Sequence, residues 1–162
     1  MKTPTVILLL LVSFSTGFSQ TLPYTNLSQL EEKLKANPKP VVIKLFTGWC
    51  TYCKMQDREL KNAKEVSSYL EENFYIVNFD AESRDEFTFN GRVYKFKPSG
   101  LKTGVHEFAL ALTPENEVLA YPYWIILNDS LKTLTSYKGY MKSKNLMLLL
   151  KSVIENKNTR RK

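Results

Sequence analysis

From residue 26 onward, polar and apolar positions repeat with a helical period, then a strand-like one, then a helical one again. Leu27, Leu30 and Leu34 fall on one face of a helix predicted over 26–36, with Ser28 and Glu31 spaced as a capping box. Asn37-Pro38-Lys39-Pro40 ends it. Val41 to Phe46 is almost wholly apolar, as a central strand covered on both faces should be. The spacing then predicts one helix over 50–71, with Met55, Leu60, Val66 and Leu70 turned to the core, and a second strand over 74–79. Two strands joined by such a helix run parallel.

Residues 81–113 read as an elaboration. Phe87-Thr88-Phe89 and Val93-Tyr94-Lys95-Phe96 flank Asn90-Gly91, a pair suited to a type I′ hairpin turn. Pro98-Ser99-Gly100 breaks the run, and a short helix is expected from Thr103 or Gly104 to Leu112, carrying His106. The aromatic residues here are expected to pack on the domain, with partner recognition as the sharper alternative. The last third reads strand (123–127), turn at Asn128-Asp129, antiparallel strand (134–137) and a leucine-rich helix (143–155). The order β-α-β, hairpin and helix, β-β-α describes an α/β sandwich.

The first residues change the picture of where the chain works. Lys2, an apolar run from Val6 to Phe14 broken only by Ser13, and Gly17-Phe18-Ser19 before Gln20 have the pattern of a cleaved signal peptide over 1–19. The run falls short of the roughly 20 residues that span a bilayer. Cleavage leaves about 140 residues, one ordinary domain over 20–156, expected to be soluble, exported or periplasmic, and monomeric, since no dimerisation segment is evident. The chain of 162 residues carries a net charge of +7, much of it in Lys151, Lys157, Arg160, Arg161 and Lys162, and 157–162 reads as a solvated basic tail. No interleaved aromatic and basic patch points to nucleic acid.

The chemistry lies in Gly48-Trp49-Cys50-Thr51-Tyr52-Cys53-Lys54, directly after the apolar strand. A helix that begins at Cys50 offers unpaired N–H groups and a positive dipole end, both of which favour thiolate. Thiolate is the nucleophile of disulfide exchange, and a second cysteine one turn on can resolve the mixed disulfide. These are the only two cysteines, and with the single His106 they make a poor zinc set. A structural bond closing so small a loop would restrain little. Redox chemistry is therefore the leading reading. A copper(I) site on the two thiolates and a structural disulfide stay open behind it. His106, alone beside Glu107, reads as a surface or structural residue rather than a catalytic one.

The strand, the Trp-Cys-x-x-Cys-Lys motif, the helix, the second strand, and Pro122 ahead of a strand, hairpin and final helix resemble the thioredoxin superfamily over about Leu27 to Glu155. Thr47-Gly48-Trp49-Cys50-x-x-Cys53-Lys54-x-Gln56 is most similar to exported members such as the C-terminal domain of the disulfide reductase DsbD. The resemblance implies a three-layer sandwich around a mixed sheet, with 81–113 inserted. It implies Cys50 as the exposed nucleophile, Cys53 as the buried resolving thiol, Trp49 as their shield, and Pro122 in cis after Tyr121, whose backbone pairs with an extended substrate. A trans proline at an edge strand is the plain alternative. No cofactor is implied beyond the redox disulfide. Reduction of protein disulfides is the expected direction, fed by a membrane reductase; isomerisation is a further option. One departure stands out. Where the superfamily usually has a buried aspartate six residues before the first cysteine, this chain has Lys44, either desolvated within the strand or reaching its amine to water. Asp57 and Glu59 are poor substitutes for that aspartate.

Overall fold

The computed structural model describes residues 22–159; the segment expected to be a signal peptide and Arg160 to Lys162 lie outside the described residues. In chain order the elements are α1 (Leu27–Ala36), β1 (Val41–Phe46), α2 (Thr51–Asn62), α3 (Lys64–Asn73) and β2 (Tyr75–Asp80). The region after them holds β3 (Phe87–Phe89), β4 (Arg92–Tyr94), β5 (Phe96–Pro98), β6 (Gly104–His106) and α4 (Glu107–Ala111). Then follow β7 (Tyr123–Leu127), β8 (Thr133–Lys138) and α5 (Ser143–Thr159).

The main sheet has the order β2-β1-β7-β8. β1 and β2 run parallel, while β7 is antiparallel to β1 and to β8. Successive strand side chains face opposite ways, so the apolar strands feed two cores. Ile43, Leu45, Val77, Phe79, Tyr123 and Ile125 pack with Leu30 and Leu34 of α1 and Phe108 of α4. On the other face Val42, Ile76, Trp124 and Ile126 meet Leu60, Val66, Leu70 and the α5 residues Leu146 and Leu150. The result is the expected three-layer sandwich. β2 lies at one side of the sheet, where Thr25 N–H bonds the Ile76 carbonyl and His106 N–H bonds that of Ala81 just beyond the strand.

Several local expectations are corrected. The capping box is not used: Asn26 caps α1 by accepting from Ser28 N–H, and Glu31 instead accepts from Asn90 N–H at the Asn-Gly turn. The single helix over 50–71 is two helices, broken at Ala63. Ser67 Oγ donates to the Leu60 carbonyl across the break, satisfying a group the interruption orphans. Met55 is exposed rather than core. The predicted hairpin is present, with φ of 51° and 72° at Asn90 and Gly91. A second hairpin, β5–β6, stands where a helix start was expected. It relies on Gly104, where a Cβ would lie 2.5 Å from the Lys97 carbonyl. The final helix runs on to Thr159, so Lys157 is helical and paired with Asp129 rather than part of a loose tail.

Candidate functional site

β1 delivers the chain through Thr47-Gly48-Trp49 to Cys50, the N-cap of α2. Cys50 Sγ accepts the backbone N–H of Cys53 at 3.0 Å, and the two sulfurs form a disulfide. No acidic residue lies in the first turn of α2 to oppose a thiolate there. Both residues are buried in this form, Cys50 at 4 % and Cys53 at 2 % exposure, which corrects the expectation of an exposed Cys50.

Trp49 is 66 % exposed beside it. Its indole N–H donates to both carboxylate oxygens of Glu82 at 3.1 Å, and its ring meets Tyr121 edge-on at 6.2 Å. The Tyr121–Pro122 bond is cis, and the Pro122 carbonyl accepts the N–H of Gly139. Burial, then the charges of Glu82 and Asp80, push the Tyr121 phenol up to about 12. Tyr121 is thus brought against Trp49, the residue next to Cys50, although it comes from a distant part of the chain. Glu82, which fixes the indole, was missed in the sequence because nothing local marks it.

Lys44 does not reach for water. It is 1 % exposed in the middle of β1 and its Nζ is hydrogen bonded to Asp57 Oδ1 of α2, a residue 49 % exposed. Burial pushes the ammonium below the ordinary lysine range, with the Asp57 bond and charge restoring part of the loss. Nζ also lies 5.9 Å from the Phe46 ring centroid. Asp57, dismissed in the sequence, stands four residues after Cys53, a spacing that places the two on one helix face.

Further along α2, Gln56 is fully buried and brackets Met141: Nε2 donates to its carbonyl at 3.0 Å and Oε1 accepts its N–H at 2.8 Å. Glu59 accepts from Ser143 N–H and Tyr140 Oη, and these bonds, the Ser143 backbone first, hold its carboxyl below the usual range. His106 is buried and structural, not on the surface. Nδ1 accepts Phe108 N–H, so Nε2 carries the proton and donates to the Asp85 carbonyl, while the ring stacks on Phe87. Among the described residues no group of three or more His, Cys, Asp and Glu side chains is placed to hold a metal, and no helix is long and apolar enough to cross a membrane.

Residues 27–154 match the family model described as a thioredoxin-like domain. Among solved structures, a thioredoxin-fold protein from Helicobacter pylori is similar at 22% identity and a TM-score of 0.58, covering 75% of this chain and 72% of that one. The DsbH oxidoreductase is similar over 95% of both chains at 12% identity and a TM-score of 0.56. A disulphide isomerase from Xylella fastidiosa Temecula1 gives 20% identity and a TM-score of 0.52, covering 83% of this chain and 98% of that one. No curated protein sequence matches the chain.

Proposed function

The chain belongs to the thioredoxin-like domain family, and from that premise we propose that it is an exported thiol–disulfide oxidoreductase that reduces disulfides in partner proteins. The observation that carries this reading is the Cys50–Cys53 disulfide at the start of α2, with Cys50 Sγ already accepting a backbone N–H. The same N–H and the helix dipole stabilise a Cys50 thiolate once the bond opens.

In the reduced protein Cys50 thiolate attacks a substrate disulfide, forms a mixed disulfide and releases one substrate sulfur, which takes up a proton. Cys53 loses its proton and attacks Cys50 Sγ. The mixed disulfide breaks, its electron pair leaves with the second substrate sulfur, and the Cys50–Cys53 bond returns. The substrate has gained two electrons and two protons. Trp49, Tyr121 and Pro122 form the rim on which an extended substrate segment lies, pairing with the backbone of Tyr121. Each cycle needs two electrons back, and outside the cytosol a membrane reductase is the donor that fits. A role of this kind is the one that a resemblance to the C-terminal domain of DsbD implies. Residues 1–19 direct export, and the working domain begins at Gln20, with 81–113 as its added surface.

The test uses protein recovered from the extracytoplasmic fraction, its mass that of a chain beginning at Gln20. Titration in thiol–disulfide buffers should give a reversible two-electron transition, near about −270 mV for a reductant and near about −120 mV for an oxidant. Cys50→Ser should abolish turnover, and Cys53→Ser should accumulate covalent complexes with substrate. No reversible transition, or no trapped complexes, would overturn the reading.

A further inference from the structure

A lysine on a border strand ordinarily extends its amine into water. Lys138 does not. It ends β8 directly opposite Tyr123, and its side chain is only 28 % exposed. From there Nζ donates to the Val118 carbonyl at 2.6 Å, pairs with Glu117 Oε2 at 2.8 Å and lies 5.5 Å from the Tyr123 ring centroid. The next residue holds the same neighbourhood from the backbone, where Gly139 N–H donates to the Pro122 carbonyl at 2.7 Å. Val118 and Pro122 are thus both fastened to one dipeptide, and only Leu119, Ala120 and Tyr121 lie between them.

The fastening matters because the chain that leads into Tyr121 has little else to hold it. Every residue from Pro114 to Val118 is exposed, Val118 at 83 %, and 114–122 carries no helix or strand. One hydrogen bond inside it closes a turn, from Glu117 N–H to the Pro114 carbonyl. Leu119 and Tyr121 rest against the core that α1 covers. Among the described residues, the ion pair and the hydrogen bond that tie 114–120 to another element are those of Lys138. An ion pair between partly exposed groups adds little to stability by itself. Its value here lies in where it puts the Val118 carbonyl. Backbone fixed in advance loses less freedom when another strand pairs with it, and a three-residue bridge pinned at both ends is such a backbone.

We propose that Lys138 is a positioning residue for substrate, holding Val118 to Pro122 in the geometry in which the Tyr121 backbone pairs with an extended, disulfide-bearing segment. This rests on the oxidoreductase reading and on the pairing role it gives to Tyr121. Among the described residues Lys138 makes no contact with Cys50 or Cys53, and it takes no part in electron or proton transfer. Its effect therefore belongs to substrates that offer a peptide backbone. A small disulfide without one has nothing to gain from it.

In the experiment, fully reduced protein is mixed with either an extended synthetic peptide closed by a disulfide or bis(2-hydroxyethyl) disulfide. The reaction is quenched with acid and the remaining protein thiols are counted by alkylation. Lys138→Met keeps the apolar stem over Tyr123 and removes the amine. It should lower the second-order rate constant for the peptide about tenfold, the scale of one charge-assisted hydrogen bond, and leave that for the small disulfide within about twofold. Lys138→Arg should restore most of the peptide rate. A second peptide, methylated on the backbone nitrogens beside the attacked cysteine, separates lost pairing from general loosening of the fold. It should react slowly with the parent, and Lys138→Met should slow it no further. Equal slowing of both disulfides, slowing of neither, or losses from lysine and peptide changes that simply multiply would sink the inference and leave the oxidoreductase reading standing. If the reduced parent transfers electrons to neither disulfide, both fall.

Discussion

Tyr24 and Tyr121 report on the carboxylates at the two sides of the cysteine helix. Both phenols are pushed from 10.0 to about 12, mainly by burial, Tyr24 then by Asp57 and Tyr121 by Glu82 and Asp80. In an alkaline absorbance titration these two should ionise last. A raised phenol pKa favours folding fully below pH 10 and loses that contribution as pH rises through about 12, so stability should fall across that window. Asp57→Asn should lower the Tyr24 ionisation and leave Tyr121 in place; equal shifts in both would contradict the assignment. At this scale the sequence was most legible where covalent chemistry marks a residue. Cys50, Cys53 and the anomalous Lys44 stood out at once. Asp57, Glu82 and Tyr24 did not, because an ordinary acid or phenol acquires meaning only when the fold brings it against Lys44 or Trp49.

At the level of elements, α2 does more than present cysteines. Its buried Gln56 and its Glu59 fasten the Tyr140–Ser143 segment that opens α5. Gln56→Ala would leave the N–H and carbonyl of Met141 unpaired in a buried place, and a loss of about 1–3 kcal/mol is expected. Urea denaturation of the oxidised protein would measure it, and an unchanged midpoint would show that the clasp contributes nothing. The strands and the final helix were readable from apolar spacing, which is dictated by burial on one or two faces. The break at Ala63 was not, since neither proline nor glycine marks it and the repair comes from Ser67, seven residues from the carbonyl it satisfies. The β5–β6 hairpin escaped notice for a similar reason: three-residue strands carry too little pattern to declare themselves.

Across the whole molecule, the region between β2 and β7 proves to be core rather than ornament. Phe108 meets Phe79 of the main sheet at 5.0 Å and Phe87, Phe89 and Tyr94 of the hairpin at 5.4, 5.5 and 5.3 Å. Phe108→Ala should therefore cost about 3–5 kcal/mol and lower a single thermal transition. A separate early transition confined to 81–113 would instead mean that the region folds apart from the sheet. The same region has a second effect, through the bonds that Thr25 and His106 make along the outer side of β2. Among the described residues they occupy the flank of β2 on which another strand would add, leaving β8 as the main sheet's remaining free border. A sheet open at one border can join a second copy, but the two borders then consume each other and growth stops. For the main sheet, among the described residues, backbone pairing is thus directed to the β8 border and away from β2.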